Sequence, residues 1–221
     1  MKQLGLLLTM TEPTQEMEEE FNAWYDTEHI VERLAIPGFI SARRWVYPRA
    51  KPGSGKYLAT YELTGTDVLT APEYLAHVGE YFTPWSKRCL AKAVLNRRWA
   101  ASQTLPGDAL PAPEARALMV AIGDSPAEHE LEFNKWYDEE HVPMLAKVPG
   151  VLRARRFFSP AGKPRHIALY ELSQADVTRS APWQEAVGTP WSQRMIGLTA
   201  GSDWFFVVTT LTEHEHGQIR H

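Results

Sequence analysis

Apolar side chains at Met17, Phe21, Trp24 and Val31 fall on one stripe of a 3.6-residue period, so "MEEEFNAWYDTEHIVERL" predicts an amphipathic helix. Its surroundings have the other period. "QLGLLLTM" ahead of it reads as a short strand, and beyond the turn at Pro37-Gly38 "FISARRWVY" looks extended. The loop "PRAKPGSG" then turns the chain into a further extended run, "KYLATYEL". A mostly helical stretch, "APEYLAHVGEYFTPWSKRCLAKA", breaks near Pro84 and leads into a last strand, "VLNRRWAAS". The element order is β-α-β-β-α-β.

The pattern then recurs. Phe133, His141, Pro149 and Arg155 each lie 112 positions after Phe21, His29, Pro37 and Arg43. "RHIALYEL" matches "KYLATYEL", and "TPWSQR" matches "TPWSKR", in the same order. Two copies of about 105 residues are too few and too long for a solenoid. The sequence therefore predicts an α+β protein of two tandem ferredoxin-like units, residues 1–102 and 115–212. The Pro-rich residues 103–114 form the linker, and residues 213–221 a polar tail. Each antiparallel sheet carries its helices on one face, and the two bare faces are expected to cover each other as an intrachain α/β-barrel.

Composition narrows the classes. Hydrophobic residues make up 44% of the 221 positions and aromatics 11%, enough for a sizeable core. The opening "MKQLGLLLTMTEP" has too short an apolar run for a signal peptide, and no run is long enough to span a membrane; the expectation is a cytoplasmic protein. A net charge of −4 without long like-charge blocks gives no reason to expect nucleic acid. The single cysteine, Cys89, excludes an internal disulfide and a thiolate cage, and packing is its expected role. Phosphate-cradling glycine loops, a serine nucleophile elbow and an HExxH helix are absent. His214, His216 and His221 include a His-x-His pair, but at a polar chain end this reads as tail, and no metal site is expected.

The candidate chemistry clusters at the end of each first helix. A regular helical projection puts Glu28 near the middle of the apolar stripe, and Glu140 repeats it; a carboxylate there needs a cationic or hydrogen-bonding partner. Tyr25 and His29 are four residues apart, as are Tyr137 and His141, so phenol, imidazole and carboxylate can converge. Arg43-Arg44 and Arg155-Arg156 sit on strands, where only one of each pair can face the helices. An arginine in a cavity suits a substrate oxyanion; equally, it suits an ion pair with Glu28 or Glu140. Tyr61, Trp85, Tyr170 and Trp191 add aromatic walls, either as core or around a flat ligand. His77 and the insertion Glu80-Tyr81-Phe82 belong to the first copy alone, where the second has Ala186, which favours the first pocket as the working one.

These residues carry a resemblance. "WYDTEHI" and "WYDEEHV", each followed by "PGF" or "PGV" and "ARR", resemble the dimeric α/β-barrel superfamily, and its EthD-like branch in particular. His141-Val142-Pro143 matches that branch's His-x-Pro form, whereas His29-Ile30-Val31 departs from it. The resemblance implies fold more than reaction, since monooxygenases, isomerases, cyclases, decarboxylases and haem enzymes share this scaffold. The leading expectation is a cofactor-independent acid-base lyase, isomerase or hydrolase acting on a small oxygenated, anionic or aromatic-derived metabolite. In it His29 or His141 moves the proton, Tyr25 or Tyr137 steadies an enolate oxygen, and an arginine holds the carboxylate. A cofactor-free monooxygenase and a non-catalytic ligand-binding module are the rivals. A homodimer of the duplicated chain is an assembly this scaffold permits.

Overall fold

The computed structural model describes residues 3–199, 204–215 and 218–220. The architecture is α+β, and the chain divides into two compact units: residues 1–102 with 210–221, and residues 103–209. In unit 1 the strands β1 (Gly5–Pro13), β2 (Phe39–Val46), β3 (Tyr57–Leu63) and β4 (Ala93–Leu105) line up in the order β2-β3-β1-β4, all antiparallel. Unit 2 has β5 (Ala117–Gly123), β6 (Val151–Phe158), β7 (His166–Leu172) and β8 (Trp204–Glu215) in the order β6-β7-β5-β8. The short β9 (Gln218–Arg220) folds back on the end of β8. Every residue of β3 and β7 is buried, and the strands carry buried charges, Glu62 and Glu171, along with their apolar residues.

Register decides which side chains meet the helices. In unit 1, Leu7 opposes Tyr61, Thr9 opposes Ala59 and Arg44 opposes Ala59 from the other side; in unit 2, Met119, Ala121 and Arg156 stand opposite Tyr170, Ala168 and Ala168. The turns ahead of β2 and β6 require glycine. Gly38 and Gly150 have φ of +97° and +92°, and a side chain on either would strike Val68 or Val177.

The long predicted helix is in fact three segments. α1 (Glu18–Trp24) widens into one π-helical turn, Tyr25–His29, where Ile30 N–H bonds back to Tyr25, and then resumes as α2 (Ile30–Leu34). Unit 2 repeats this as α5 (Glu130–Trp136), the π turn Tyr137–His141 and α6 (Val142–Leu145). The extra residue in the turn shifts everything after it. Ile30, not Val31, is buried, and Val31 is 48% exposed, so the predicted stripe is correct only as far as Trp24. α3 (Pro72–Leu75) and α4 (Pro84–Ala91) follow in unit 1, α7 (Ala181–Val187) and α8 (Pro190–Thr199) in unit 2. α4 and α8 start from threonine caps, Thr83 and Thr189, which accept from the amides of Ser86 and Ser192, with proline at the first helical position.

Cys89 is fully buried, and burial, with Glu20 adding to it, pushes its thiol up to about 11, as befits a packing residue. No helix among the described residues is long and apolar enough to cross a membrane. The tail histidines His214, His216 and His221 lie outside the described side chains, and no cluster of metal-ligating groups occurs among the described residues.

Candidate active site

Between its helices and sheet, each unit packs a core rich in aromatic rings. In unit 1, Phe21, Trp24, Tyr25, Tyr57 and Tyr61 pack together with Leu7 and Ala59 of the sheet. In unit 2 the same positions hold Phe133, Trp136, Tyr137 and Tyr170, with Ala121 and Ala168 from the sheet. The π turn sets the histidines inward. His29 lies 4.6 Å from the Trp24 ring and 5.1 Å from Tyr25; His141 lies 4.2 Å from Trp136 and 5.3 Å from Tyr137.

One arginine of each pair turns toward this space. Arg44 is almost wholly buried, its guanidinium 4.5 Å over the Tyr25 ring, and is held by Asp26 at 2.9 Å and by Asn22. Arg156 repeats the arrangement, 4.1 Å over Tyr137, with Asp138 at 2.7 Å and Asn134 at 3.0 Å. The expected glutamate pairing is therefore wrong: the partners are the aspartate one residue beyond the tyrosine and the asparagine one turn earlier. The other two arginines sit on the opposite sheet face. Arg155 pairs with buried Glu171 at 2.6 Å, and Arg43 lies over Trp45. As members of the pocket these two are corrected.

Glu28 and Glu140 do not occupy the core either. Both are half-buried, and each accepts at 2.6 Å from the threonine that caps the next helix, Thr83 or Thr189. The π turn has rotated them off the stripe and toward the neighbouring helix. Trp24 and Trp136 donate their indole N–H to Ser86 and Ser192, so the repeated "TPWS" is a clamp between helices. His77 and Tyr81 also leave the site. The His77 side chain is exposed and caps the Glu73 carbonyl, while Tyr81 is 63% exposed. Trp85 and Trp191 pack at the edges of the two cores. An open groove of about 740 Å³ elsewhere in unit 1 is bounded by Glu12, Tyr47, Pro48 and Lys51.

Electrostatics set the protonation states. Burial, reinforced by Arg33 and Arg44, pushes His29 down to about 3; burial and Arg156 do the same to His141. Burial drives the phenols of Tyr61 and Tyr170 well above their ordinary value. Both imidazoles are thus neutral and both deep phenols protonated at physiological pH. The units then differ in how these groups are satisfied. In unit 1, Tyr61 donates to Tyr25 at 3.2 Å and Tyr25 reaches Thr9 at 3.1 Å. Unit 2 has Ala121 in place of Thr9, and the Tyr170 hydroxyl has no partner. His141 reaches Ser192 at 3.4 Å, whereas the Nδ1 of His29 is unpartnered.

Sequence reading missed Asn22, Asp26, Asn134 and Asp138, although all four repeat at the same offset, and it missed Arg33. The arginines coming from β2 and β6 bring these polar residues into the site.

The chain is similar in structure to an anthrone oxidase-like protein, at 13% identity and a TM-score of 0.64, over 99% of this chain and 95% of that one. It is similar to a proposed monooxygenase from Fusobacterium nucleatum at 10% identity and TM-score 0.60, covering 99% and 98%. A chlorite dismutase variant from Candidatus Nitrospira defluvii aligns at 8% identity and TM-score 0.65, over 96% and 93%. No protein-family model matches the chain, and no curated protein is similar to it in sequence. At such identities the likeness is one of α+β fold, across nearly the full length of both partners.

The expectation of a cofactor-independent lyase, isomerase or hydrolase is overturned here. The solved structures that share the fold bear the names of oxidative enzymes.

Proposed function

We propose that this chain is a duplicated member of the dimeric α/β-barrel superfamily, close to its EthD-like branch, and a monooxygenase that uses no bound cofactor. Its substrate is a small, flat, oxygenated molecule with an acidic C–H, such as an anthrone-type ketone. The observation that carries this reading is the twice-built constellation of a tyrosine beneath a buried arginine, facing a neutral imidazole among aromatic rings.

The chemistry follows from those groups. The aromatic walls hold a planar ring by stacking. Arg44 or Arg156 places positive potential where substrate oxygen becomes an enolate, lowering the proton affinity of that enolate, so a weak base such as neutral His29 or His141 suffices to take the proton. Tyr25 or Tyr137 donates to the same oxygen. The carbanion passes electrons to dioxygen and a C–O bond forms, giving a peroxide anion that takes up a proton to become the hydroperoxide. Loss of water then leaves a carbonyl, so a CH₂ group and O₂ become C=O and H₂O. Keeping the site dry protects the carbanion from simple reprotonation.

An oxygen electrode tests this directly. Oxygen uptake should accompany turnover of anthrone-type substrates by the purified chain, one O₂ per carbonyl formed. Changing Tyr25→Phe and Tyr137→Phe together should lower the rate on the order of a hundredfold, the effect of deleting one oxyanion donor. Turnover under nitrogen at the rate seen in air would sink the proposal.

A further inference from the structure

Arg33 is among the largest fully buried side chains of the molecule, only 2% exposed, yet it has no full complement of partners. One Nη donates to the carbonyl of His77 at 2.7 Å, the rim carboxylate of Glu32 stands at 3.5 Å, and the guanidinium lies 5.7 Å over the Tyr74 ring. Its Nε is buried without any partner. Arg44 and Arg156, by contrast, each hold an aspartate and an asparagine. A guanidinium removed from water and left partly unpaired is strongly unfavourable, so a site that keeps one needs a reason.

We propose that the helix-sheet space of unit 1 binds the carboxylate of a planar aromatic acid, with Arg33 as its ion partner, and that unit 2 has no counterpart of this site. This deepens the functional reading above and rests on it only for the place where substrate sits.

Three observations support the assignment. The first is the company Arg33 keeps. Two further polar nitrogens buried without partners among the described residues also belong to unit 1: the Nδ1 of His29, four residues back along the helix, and the indole nitrogen of Trp85 on α4. The second is electrostatic reach, because after burial the Arg33 charge is the largest influence holding His29 neutral, and it also acts on Tyr61. The third is the comparison between the copies. The residue at the Arg33 position in unit 2 is Leu145, 1% exposed and part of an ordinary apolar core. Among its described residues, unit 2 offers a single unpartnered buried hydroxyl, Tyr170, which suits a neutral carbonyl and not a charge. A planar fork with free donors beside aromatic rings suits a flat carboxylate, which can accept two parallel bonds.

Calorimetric titration with salicylate tests the assignment, with salicyl alcohol as the uncharged analogue. The intact chain should bind one salicylate. Arg33→Leu, which installs the residue that unit 2 already packs, should weaken salicylate on the order of tenfold to a hundredfold and leave the alcohol unchanged. Exposed Arg88→Ala should change neither. Because Arg33→Leu also removes an incompletely paired buried charge, its melting temperature should hold or rise. An arginine that merely staples the Tyr74–His77 turn would instead lower the melting temperature and leave salicylate binding intact, and that result overturns the proposal. So does failure of both salicylate and a hydroxynaphthoate to bind the intact chain, or binding of two per chain. Salicylate loss in Arg33→Leu without any oxygen uptake by the intact chain leaves the anion site standing and sinks the oxygenase reading; oxygen uptake with salicylate binding unaffected does the reverse.

Discussion

His29 and His141 have their rings against the indoles of Trp24 and Trp136, and in both burial disfavours the imidazolium. Their folded-state values, about 3, lie below the ordinary 6.5, so between those limits the unfolded chain binds protons that the folded chain refuses. The stability this contributes is fully present above 6.5 and drains away as pH falls toward 3. Each histidine can add a slope of up to about 1.4 kcal/mol per pH unit in that window. Urea titrations from neutral pH to about pH 4 should therefore show falling stability, and the double change His29→Gln, His141→Gln should flatten the curve. Parallel curves for the two proteins would mean that other groups carry the acid sensitivity. Tyr and His four residues apart were legible in the sequence, as was the fact that one arginine of each pair faces the helices, but not that it is Arg44 and Arg156. Their aspartate partners were not, because an exposed-looking Asp26 or Asp138 acquires its role only from a strand that follows much later in the chain.

Elements tell the same story through the π turn. A regular helix through residues 17–34 buries Val31, whereas the observed turn buries Ile30 and leaves Val31 half in water. The difference is easy to measure. Val31→Lys should shift stability by no more than about 0.5 kcal/mol, as exposed substitutions do, while Ile30→Ala should cost roughly 2–5 kcal/mol. A large loss at Val31 with little at Ile30 would show the helix running without the wide turn. Periodicity could not reveal this, since one inserted residue only moves the phase of the stripe, and the sequence on either side remains amphipathic in both phases. The wide turn is also what carries Glu28 and Glu140 away from the core and onto the threonine caps of α4 and α8.

Taken as a whole, the molecule depends on how its connecting segment is held. The Pro-rich stretch after Ser102 is not a free spacer. Buried Gln103 bonds the amides of Gly107 and Ala109 and the Ala109 carbonyl. Arg155 reaches that same carbonyl at 3.3 Å, and Glu171 accepts from the Ala112 amide at 2.6 Å. The Arg155–Glu171 pair, both side chains almost wholly buried, thus ties residues 109–112 to the sheet of unit 2. Arg155→Met strands a buried carboxylate and should cost about 3–5 kcal/mol, with faster proteolytic cleavage between residues 106 and 116. Unchanged cleavage and stability would show the segment to be anchored by other means.

The sequence by itself determined the element order, the matched motifs at a constant offset, the α+β class and the crowding of aromatic, phenolic and imidazole groups at the end of each first helix. These are local or periodic properties, written in the spacing of apolar residues and in turn chemistry at Pro37-Gly38 and Pro149-Gly150. Only the tertiary structure decided which charges pair, which tyrosine is left without a partner and where Arg33 is buried. Those outcomes depend on strand register and on a single extra residue in a helical turn, and each joins side chains whose separation along the chain carries no information about their distance in space.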